Sequence, residues 1–452
     1  MWQQRRLPFC RFCGWRCYSE EEDVTDQKVN IRAAALELLL EITGGKMYSH
    51  VALRGALERY QYLAKQDRAF LTRLTEGTLE RMLELDYIID RYSRVPVKKQ
   101  KPVIRCILRM SVYQLRYMDR IPASAVCNEA VKLAGKKGFG SLKGFVNGVL
   151  RNIAREEGPI PYPGLWVQYS TPEWIVRQWT EEYGEETAIR MLQDQYEEKP
   201  LTIRVNLKKI TREALAEQLR KEGVHAQETE GVDCALSITG YDHLRALPSF
   251  RAGLFQVQDV SSMKAALMAA PGPGACCIDV CAAPGGKSLH LADLLGGTGM
   301  VEARDLTEQK VDLILDNMKR AGVRNMKAVR MDATVPDPAS YEKADIVLAD
   351  LPCSGLGVLR KKRDLKYRMT PEQQQELVRL QREILSVVWR YVKPGGTLIY
   401  STCTVHKEEN EGNTRWFLTQ FPFILKEQVQ MLPGVDPWDG FYMAKMERRW
   451  ND

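Results

Sequence analysis

No apolar run in this 452-residue chain approaches the ~18–20 residues of a membrane span, so membrane partners are not expected. The stretch Met1–Tyr18 carries Arg5, Arg6, Arg11 and Arg16 but no continuous apolar segment after them. That absence argues against a secretory leader and leaves a cytoplasmic location as the expectation. The eleven cysteines form no disulfide-scaffold pattern. In a long intracellular chain each is then a core residue, a ligand or a reactive thiol. Cys10, Cys13 and Cys17 cluster, but the first histidine is His50 and no obvious fourth ligand stands near them. Their order also reverses the C-x3-C-x2-C that cradles an iron–sulfur cluster. No metal is expected, and residues 1–28 are expected to form a disordered extension. There is no internal repeat and no low-complexity block.

Acidic residues are nearly missing from one long stretch. From Arg91 to Arg155 fifteen Lys and Arg stand against only Asp119 and Glu129, an excess of +13 in a chain whose net charge is +7. The remainder therefore nets −6. A solvated face is the plain explanation for a charge run, but so one-sided a stretch points to a polyanion-binding surface. At 44% hydrophobic and 27% charged residues, the chain as a whole has the composition of an ordinary globular protein, and its length suggests several domains.

Three units follow the extension. Residues 29–157 read as an all-α bundle: Ile31, Ala35, Leu36, Leu39 and Leu40 recur at helical spacing before Gly44-Gly45. Further helices are predicted over Phe70–Leu85, Val103–Tyr117, Ala123–Ala134 and Leu142–Ile153. Pro159, Pro161 and Pro163 mark a linker. Residues 158–255 read as a small mixed unit, with a strand at Leu201–Val205 and a helix at Arg212–Glu222 capped by Thr211. Residues 256–452 read as α/β. Short strands at Cys277–Val280, Met300–Asp305, Met326–Met331, Ile346–Ala349 and Thr397–Tyr400 alternate with helices, notably Glu308–Arg320 and Pro371–Tyr391. That alternation predicts a Rossmann-like, mostly parallel, doubly wound sheet.

The first βα turn of that sheet reads Asp279-Val280-Cys281-Ala282-Ala283-Pro284-Gly285-Gly286-Lys287-Ser288. It is neither G-x-G-x-x-G nor a P-loop, whose first glycine would fall on Cys281. Gly285 and Gly286 still permit a tight turn and close approach to a ligand. Asp305 ends the next strand, where a ribose is usually held, and Asp332 ends the third, where an adenine can be bracketed. With Asp350 after the fourth strand, three acidic residues in order suggest a pocket for the nucleoside of S-adenosyl-L-methionine.

Asp350-Leu351-Pro352-Cys353-Ser354-Gly355 follows the fourth strand, and Ser401-Thr402-Cys403-Thr404 follows the fifth. Either cysteine alone would read as core. Two at neighbouring carboxyl strand ends suit a specific chemistry. Carbon 5 of cytosine is a poor nucleophile until a thiolate adds at carbon 6, which makes the ring an enamine. A group at N3 assists the addition, and Asp350 is placed for it. A second thiol assists elimination once carbon 5 has been alkylated. The base must leave its stack to reach such a site.

From about Pro172 to Lys445 the chain resembles the RNA cytosine-5 methyltransferases. The marks are Cys281 to Lys287, Asp350 to Gly355, Ser401-Thr402-Cys403 with Glu408-Glu409-Asn410-Glu411, and Asp439-Gly440-Phe441. The helical unit resembles NusB, an RNA-binding fold, and the combination is that of the RsmB (Sun/Fmu) family. The resemblance implies Cys403 as nucleophile, Cys353 as release thiol, and Asp350 as both catalytic and cofactor residue. It places the cofactor contacts at Cys281, Ala282, Ala283, Pro284, Gly285, Gly286, Lys287, Asp305, Asp332 and Asp350. It further implies a monomer that binds 16S ribosomal RNA, naked or early in assembly. Leu351 stands where the bacterial family often has alanine. DNA cytosine-5 enzymes lack the Thr-Cys thiol, and amino-methyltransferases carry an Asp-Pro-Pro-Tyr-like element instead of Asp350–Cys353. An RNA-binding assembly factor with a silent methyltransferase fold is the remaining alternative; a lost cysteine or broken loop would mark it, and neither is present.

Overall fold

The computed structural model describes residues 29–156 and 158–450. The N-terminal extension, with Cys10, Cys13 and Cys17, lies outside the described residues. Among the described residues the chain opens with seven helices: Ile31–Thr43, Ser49–Arg59, Lys65–Glu80, Met82–Tyr92, Pro102–Tyr117, Ala123–Lys136 and Lys143–Arg155. Asn30 starts the first, its side chain accepting from the Ala33 N–H at 2.9 Å. Leu36, Leu39, Leu71, Leu74, Ile107, Leu108 and Leu150 are no more than 1% exposed and form one core. Each such side chain contributes about 1.5–3 kcal/mol by leaving water.

The apolar period over Phe70–Leu85 predicts one helix, yet the chain breaks at Arg81 (φ −106°, ψ 20°). The cause is tertiary. The Ser170 hydroxyl, from beyond the linker, accepts from the Leu83 N–H at 2.8 Å and so caps a new helix start from outside. The basic side chains of 91–155 are exposed except Arg105 and Arg116, which are half-buried, and Arg109. Arg109 is buried because two of its nitrogens reach the Asp86 carboxylate, each at 2.6 Å.

The second unit is a four-stranded antiparallel sheet of order β2-β3-β1-β4, with β1 Leu201–Val205, β2 His225–Glu228, β3 Ala235–Thr239 and β4 Phe255–Val257. Helix Arg212–Lys221 packs on it, and Thr211 caps that helix as its sequence predicts, accepting from Ala214 N–H at 3.2 Å. The alternation of β1 puts Ile203 and Val205 into the core with Leu215 and Leu219. Arg204 points the other way and pairs with Asp293 of the third unit. Asn206 adds a hydrogen bond to the Ala321 carbonyl at 3.0 Å.

The third unit is a seven-stranded sheet of order β10-β11-β9-β8-β5-β6-β7. Its strands are β5 Cys276–Asp279, β6 Met300–Asp305, β7 Met326–Arg330, β8 Ala344–Asp350, β9 Val392–Thr402, β10 Phe423–Met431 and β11 Phe441–Arg448. β5 to β9 are parallel, while β11 and β10 add an antiparallel edge beside β9. Val347, Leu348 and Ala349 are fully buried on both faces of β8, as in covered parallel sheets. Strand order reverses between β5 and β8, and the crevice at such a switch point is where these sheets bind ligands. The loops after β5 and β8 carry Cys281–Lys287 and Asp350–Cys353.

Residues 360–368, which follow the Cys353 loop, reach into the helical unit. The Asp364 carboxylate accepts from the Ser49 hydroxyl at 2.5 Å, and the Lys366 ammonium donates to the Glu80 carbonyl at 3.0 Å. Arg363 pairs with Glu80. The bundle is thereby bonded to the segment that leaves the crevice.

Candidate active site

Gly285 sits at φ +99°, a left-handed conformation that strains any L side chain. Helix Gly286–Leu294 starts immediately after it, with no side-chain cap. Its first N–H groups and the positive end of its dipole suit an anionic ligand group. The preceding turn is anchored, since Ala282 N–H donates to the Arg304 carbonyl at 2.8 Å and Ala283 N–H to Asp305 Oδ2 at 2.9 Å. Asp305 is buried; its Oδ1 accepts from Leu306 N–H at 2.8 Å and meets Lys310 at 3.0 Å. It is thus a peg for the loop as well as a ribose candidate. Asp332, just past β7, is half-buried. The Thr334 hydroxyl and N–H both donate to its Oδ1 and hold its carboxyl below the usual aspartate range.

Lys287, in the first turn of that helix, donates to Asp350 Oδ2 at 2.7 Å, and Ser401 Oγ donates to Asp350 Oδ1 at 2.8 Å. Burial opposes the Lys287 ammonium, but the Asp350 carboxylate outweighs it and holds the ammonium pKa above the ordinary lysine value. Cys353 and Cys403 follow β8 and β9, and their sulfurs lie 3.4 Å apart. The hydrogen bond from Cys353 holds the Cys403 thiol below the usual range; burial opposes this, and the charges of Lys362 and Lys287 assist it. The same contact, reinforced by burial, pushes Cys353 well above that range. Burial also raises Cys281, so the loop cysteine is a poor thiolate. The crevice therefore combines an acidified thiol, a protonated thiol beside it, a cation–carboxylate pair and an open helix start.

Gly357 closes the back of the site. Its N–H donates to the Cys403 carbonyl at 3.1 Å and its carbonyl accepts from Gly440 N–H at 2.9 Å. A Cβ there would stand 2.3 Å from the Gly440 oxygen. This contact accounts for the Asp439-Gly440-Phe441 mark, whose Asp439 also meets Arg360 at 3.2 Å. Sequence reasoning missed Lys361, which pairs with Asp259 at 2.8 Å and with Asp439. Burial alone would raise Asp259, but the Lys361 charge and the hydrogen bonds from Lys361 and Ser261 together outweigh it and hold the carboxyl at about 2. The cation run Arg360–Arg363 was the available signal. Glu409 and Asn410 received no role from sequence, and both are fully buried. A cleft of about 470 Å³ lined by Arg204, Leu207, Cys234, His290 and Asp293 lies at the far end of helix Gly286–Leu294, away from the thiols.

Three family models match this chain. Residues 266–447 match the 16S rRNA methyltransferase RsmB/F family, 29–155 the NusB family, and 171–242 the ferredoxin-like domain of RsmF/B-like methyltransferases. The chain is 34% identical to the probable ribosomal RNA small subunit methyltransferase B of Bacillus subtilis, over 94% of this chain and 100% of that protein. It is 31% identical to the ribosomal RNA small subunit methyltransferase B of Salmonella paratyphi B, over 86% of this chain and 92% of that one. Among solved structures, PH0851 is 26% identical with a TM-score of 0.81, over 93% of this chain and 99% of that one. A methyltransferase homolog from Pyrococcus horikoshii, also 26% identical, matches 63% of this chain and 97% of its own length with a TM-score of 0.56. The chain belongs to the RsmB/F family of S-adenosyl-L-methionine-dependent ribosomal RNA small subunit methyltransferases.

Proposed function

We propose that this enzyme methylates carbon 5 of one cytosine in 16S ribosomal RNA, with Cys403 as the nucleophile and Cys353 as the release thiol. The observation that carries the reading is two thiols 3.4 Å apart, after neighbouring strands, beside the Lys287–Asp350 pair. Cys281 to Lys287, Asp305, Asp332 and Asp350 would hold S-adenosyl-L-methionine, whose carboxylate suits the uncapped helix at Gly286. Bound there, it supplies the methyl group as an electrophile.

The protein's own groups account for the remaining steps. The Cys403 thiolate adds to carbon 6, forming a carbon–sulfur bond, while Lys287, held in place by the Asp350 carboxylate, donates a hydrogen bond to N3. The electron pair reaches carbon 5, which takes the methyl group. Loss of the carbon-5 proton then expels the Cys403 thiolate. Once Cys403 is a thioether, Cys353 no longer faces a thiolate and can lose its own proton to solvent; the Cys353 thiolate then takes the carbon-5 proton and returns to the thiol form. Units 29–157, 158–255 and 256–452 divide the labour: the first two hold RNA and the third carries the chemistry. A monomer acting on naked or early-assembly RNA completes the proposal.

Nucleoside mass spectrometry tests the reaction. Unmethylated 16S RNA incubated with the enzyme and S-adenosyl-L-methionine should yield 5-methylcytidine at one position by bisulfite mapping, and none with Cys403→Ala. A methyl group on N4 or on a ribose would contradict the proposal.

A further inference from the structure

Cys353 and Cys403 sit on separate loops, and their separation has to be set by something that touches both. One π-helical turn, Glu408–Gly412, does so with two consecutive residues. Such turns recur at functional sites because the extra residue redirects side chains.

Glu409 is fully buried. Its Oε2 accepts from Ser354 N–H at 2.9 Å and its Oε1 from the Ser354 hydroxyl at 2.5 Å. Gln381 Nε2 donates to Oε2 at 3.0 Å and to the Pro352 carbonyl at 2.8 Å, so both neighbours of Cys353 are held. His406 Nδ1 stands 3.3 Å from Oε1. Asn410, also fully buried, treats Cys403 alike. Its Oδ1 accepts from the Thr402 hydroxyl at 2.5 Å, and its Nδ2 donates to the Thr404 carbonyl at 3.1 Å. A Ser354–Thr404 hydroxyl contact at 2.7 Å ties the loops directly.

We infer that Glu409 and Asn410 are positioning residues, Glu409 for the release thiol and Asn410 for the attacking thiol. The inference rests on the two-thiol reading above. Residue type supports it. A buried carboxylate is costly unless several donors satisfy it. Glutamine would offer only one acceptor oxygen and would turn an NH₂ toward the Ser354 or Gln381 donors. Asparagine at 410 is likewise the type that can accept from a hydroxyl and donate to a carbonyl at once.

The test separates adduct formation from adduct decay in a single turnover, using the full-length enzyme, 16S RNA and S-adenosyl-L-methionine. Glu409→Gln should form the RNA adduct at nearly the wild-type rate but release it about tenfold to hundredfold more slowly, the scale of a small misplacement of a reacting group. Asn410→Asp should slow formation by a similar factor and leave decay unchanged. S-adenosyl-L-methionine affinity by calorimetry should match wild type in both, which also reports folding. If both variants slow both steps equally, the turn is a structural support only and the inference falls. Should Glu409→Gln fail to fold, Ser354→Ala removes one of the same contacts; it should slow decay to a lesser degree, and unchanged decay would overturn the Glu409 role. Cys403→Ala run alongside keeps the two ideas apart. If it still forms an adduct while the Glu409 and Asn410 variants split the two steps, the thiol roles are wrong and the clamp stands.

Discussion

Replacing Asp279 by asparagine should change how the stability of the central sheet depends on pH. Asp279 ends β5 and is 1% exposed. Ser288 Oγ donates to its Oδ2 at 2.5 Å, while Oδ1 has no hydrogen-bond partner. Burial pushes the carboxyl up to about 7, against an unfolded value of about 3.9. Because the folded pKa is the higher one, the native state holds the proton more tightly. The resulting stabilisation is complete below pH ~4 and is lost as pH rises towards 7. The gap between the folded and unfolded values corresponds to roughly 4 kcal/mol, of which about 2.5 kcal/mol falls between pH 5 and pH 8. Asparagine cannot titrate, so this part of the pH slope should vanish in the variant. Urea melts at pH 5 and pH 8, followed by pulsed hydrogen exchange in β5 and β8 peptides, measure the slope for this unit alone. The level of the variant's curve is immaterial, since the amide also changes the Ser288 contact. Parallel curves for the two proteins would refute the reasoning and mean that Asp279 is ionised in the folded state.

Asp305→Ala should weaken S-adenosyl-L-methionine binding by about 1.5–3 kcal/mol, the scale for hydrogen bonds to a charged group, and calorimetry measures it. The exposed Lys98, Lys99 and Lys101 are predicted RNA contacts. Changing all three to glutamate should lower RNA affinity and flatten the log-affinity against log-salt slope by about 2–3, with cofactor affinity unchanged. Gly357→Ala places a methyl group 2.3 Å from the Gly440 oxygen. It should abolish methylation while leaving the cofactor loop intact, as a filter assay and calorimetry on one sample would show.

Much of the catalytic unit is legible in sequence because β5 and β8 are short, mostly apolar runs buried on both faces, and such runs announce themselves. β9 reads as Thr397–Tyr400 but extends over Val392–Thr402, because Lys393-Pro394-Gly395-Gly396 looks like a turn. A register shift between Ala344 and Ile346 of β8 accommodates that segment. β10 is hidden by its composition: Lys426, Glu427 and Gln428 are polar residues on an edge strand. The break at Arg81 depends on Ser170, a contact no local pattern reports. In the site, the two thiols and the glycine turn are visible because their residue types are specific to their chemistry. Glu409 and Asn410 are visible only as part of a family mark, with no role attached, and Lys361 only as one cation of a run, since the importance of all three lies in partners on other loops that appear once the fold assembles them.

The central claim is the division of labour between the two thiols, and a denaturing gel of enzyme incubated with 16S RNA and S-adenosyl-L-methionine tests it most directly. Cys353→Ala should accumulate a denaturant-resistant adduct between protein and methylated RNA, because attack and methyl transfer proceed but release stalls. Cys403→Ala should give neither adduct nor methylation. An adduct with Cys403→Ala and none with Cys353→Ala would contradict the account and assign the nucleophile to Cys353.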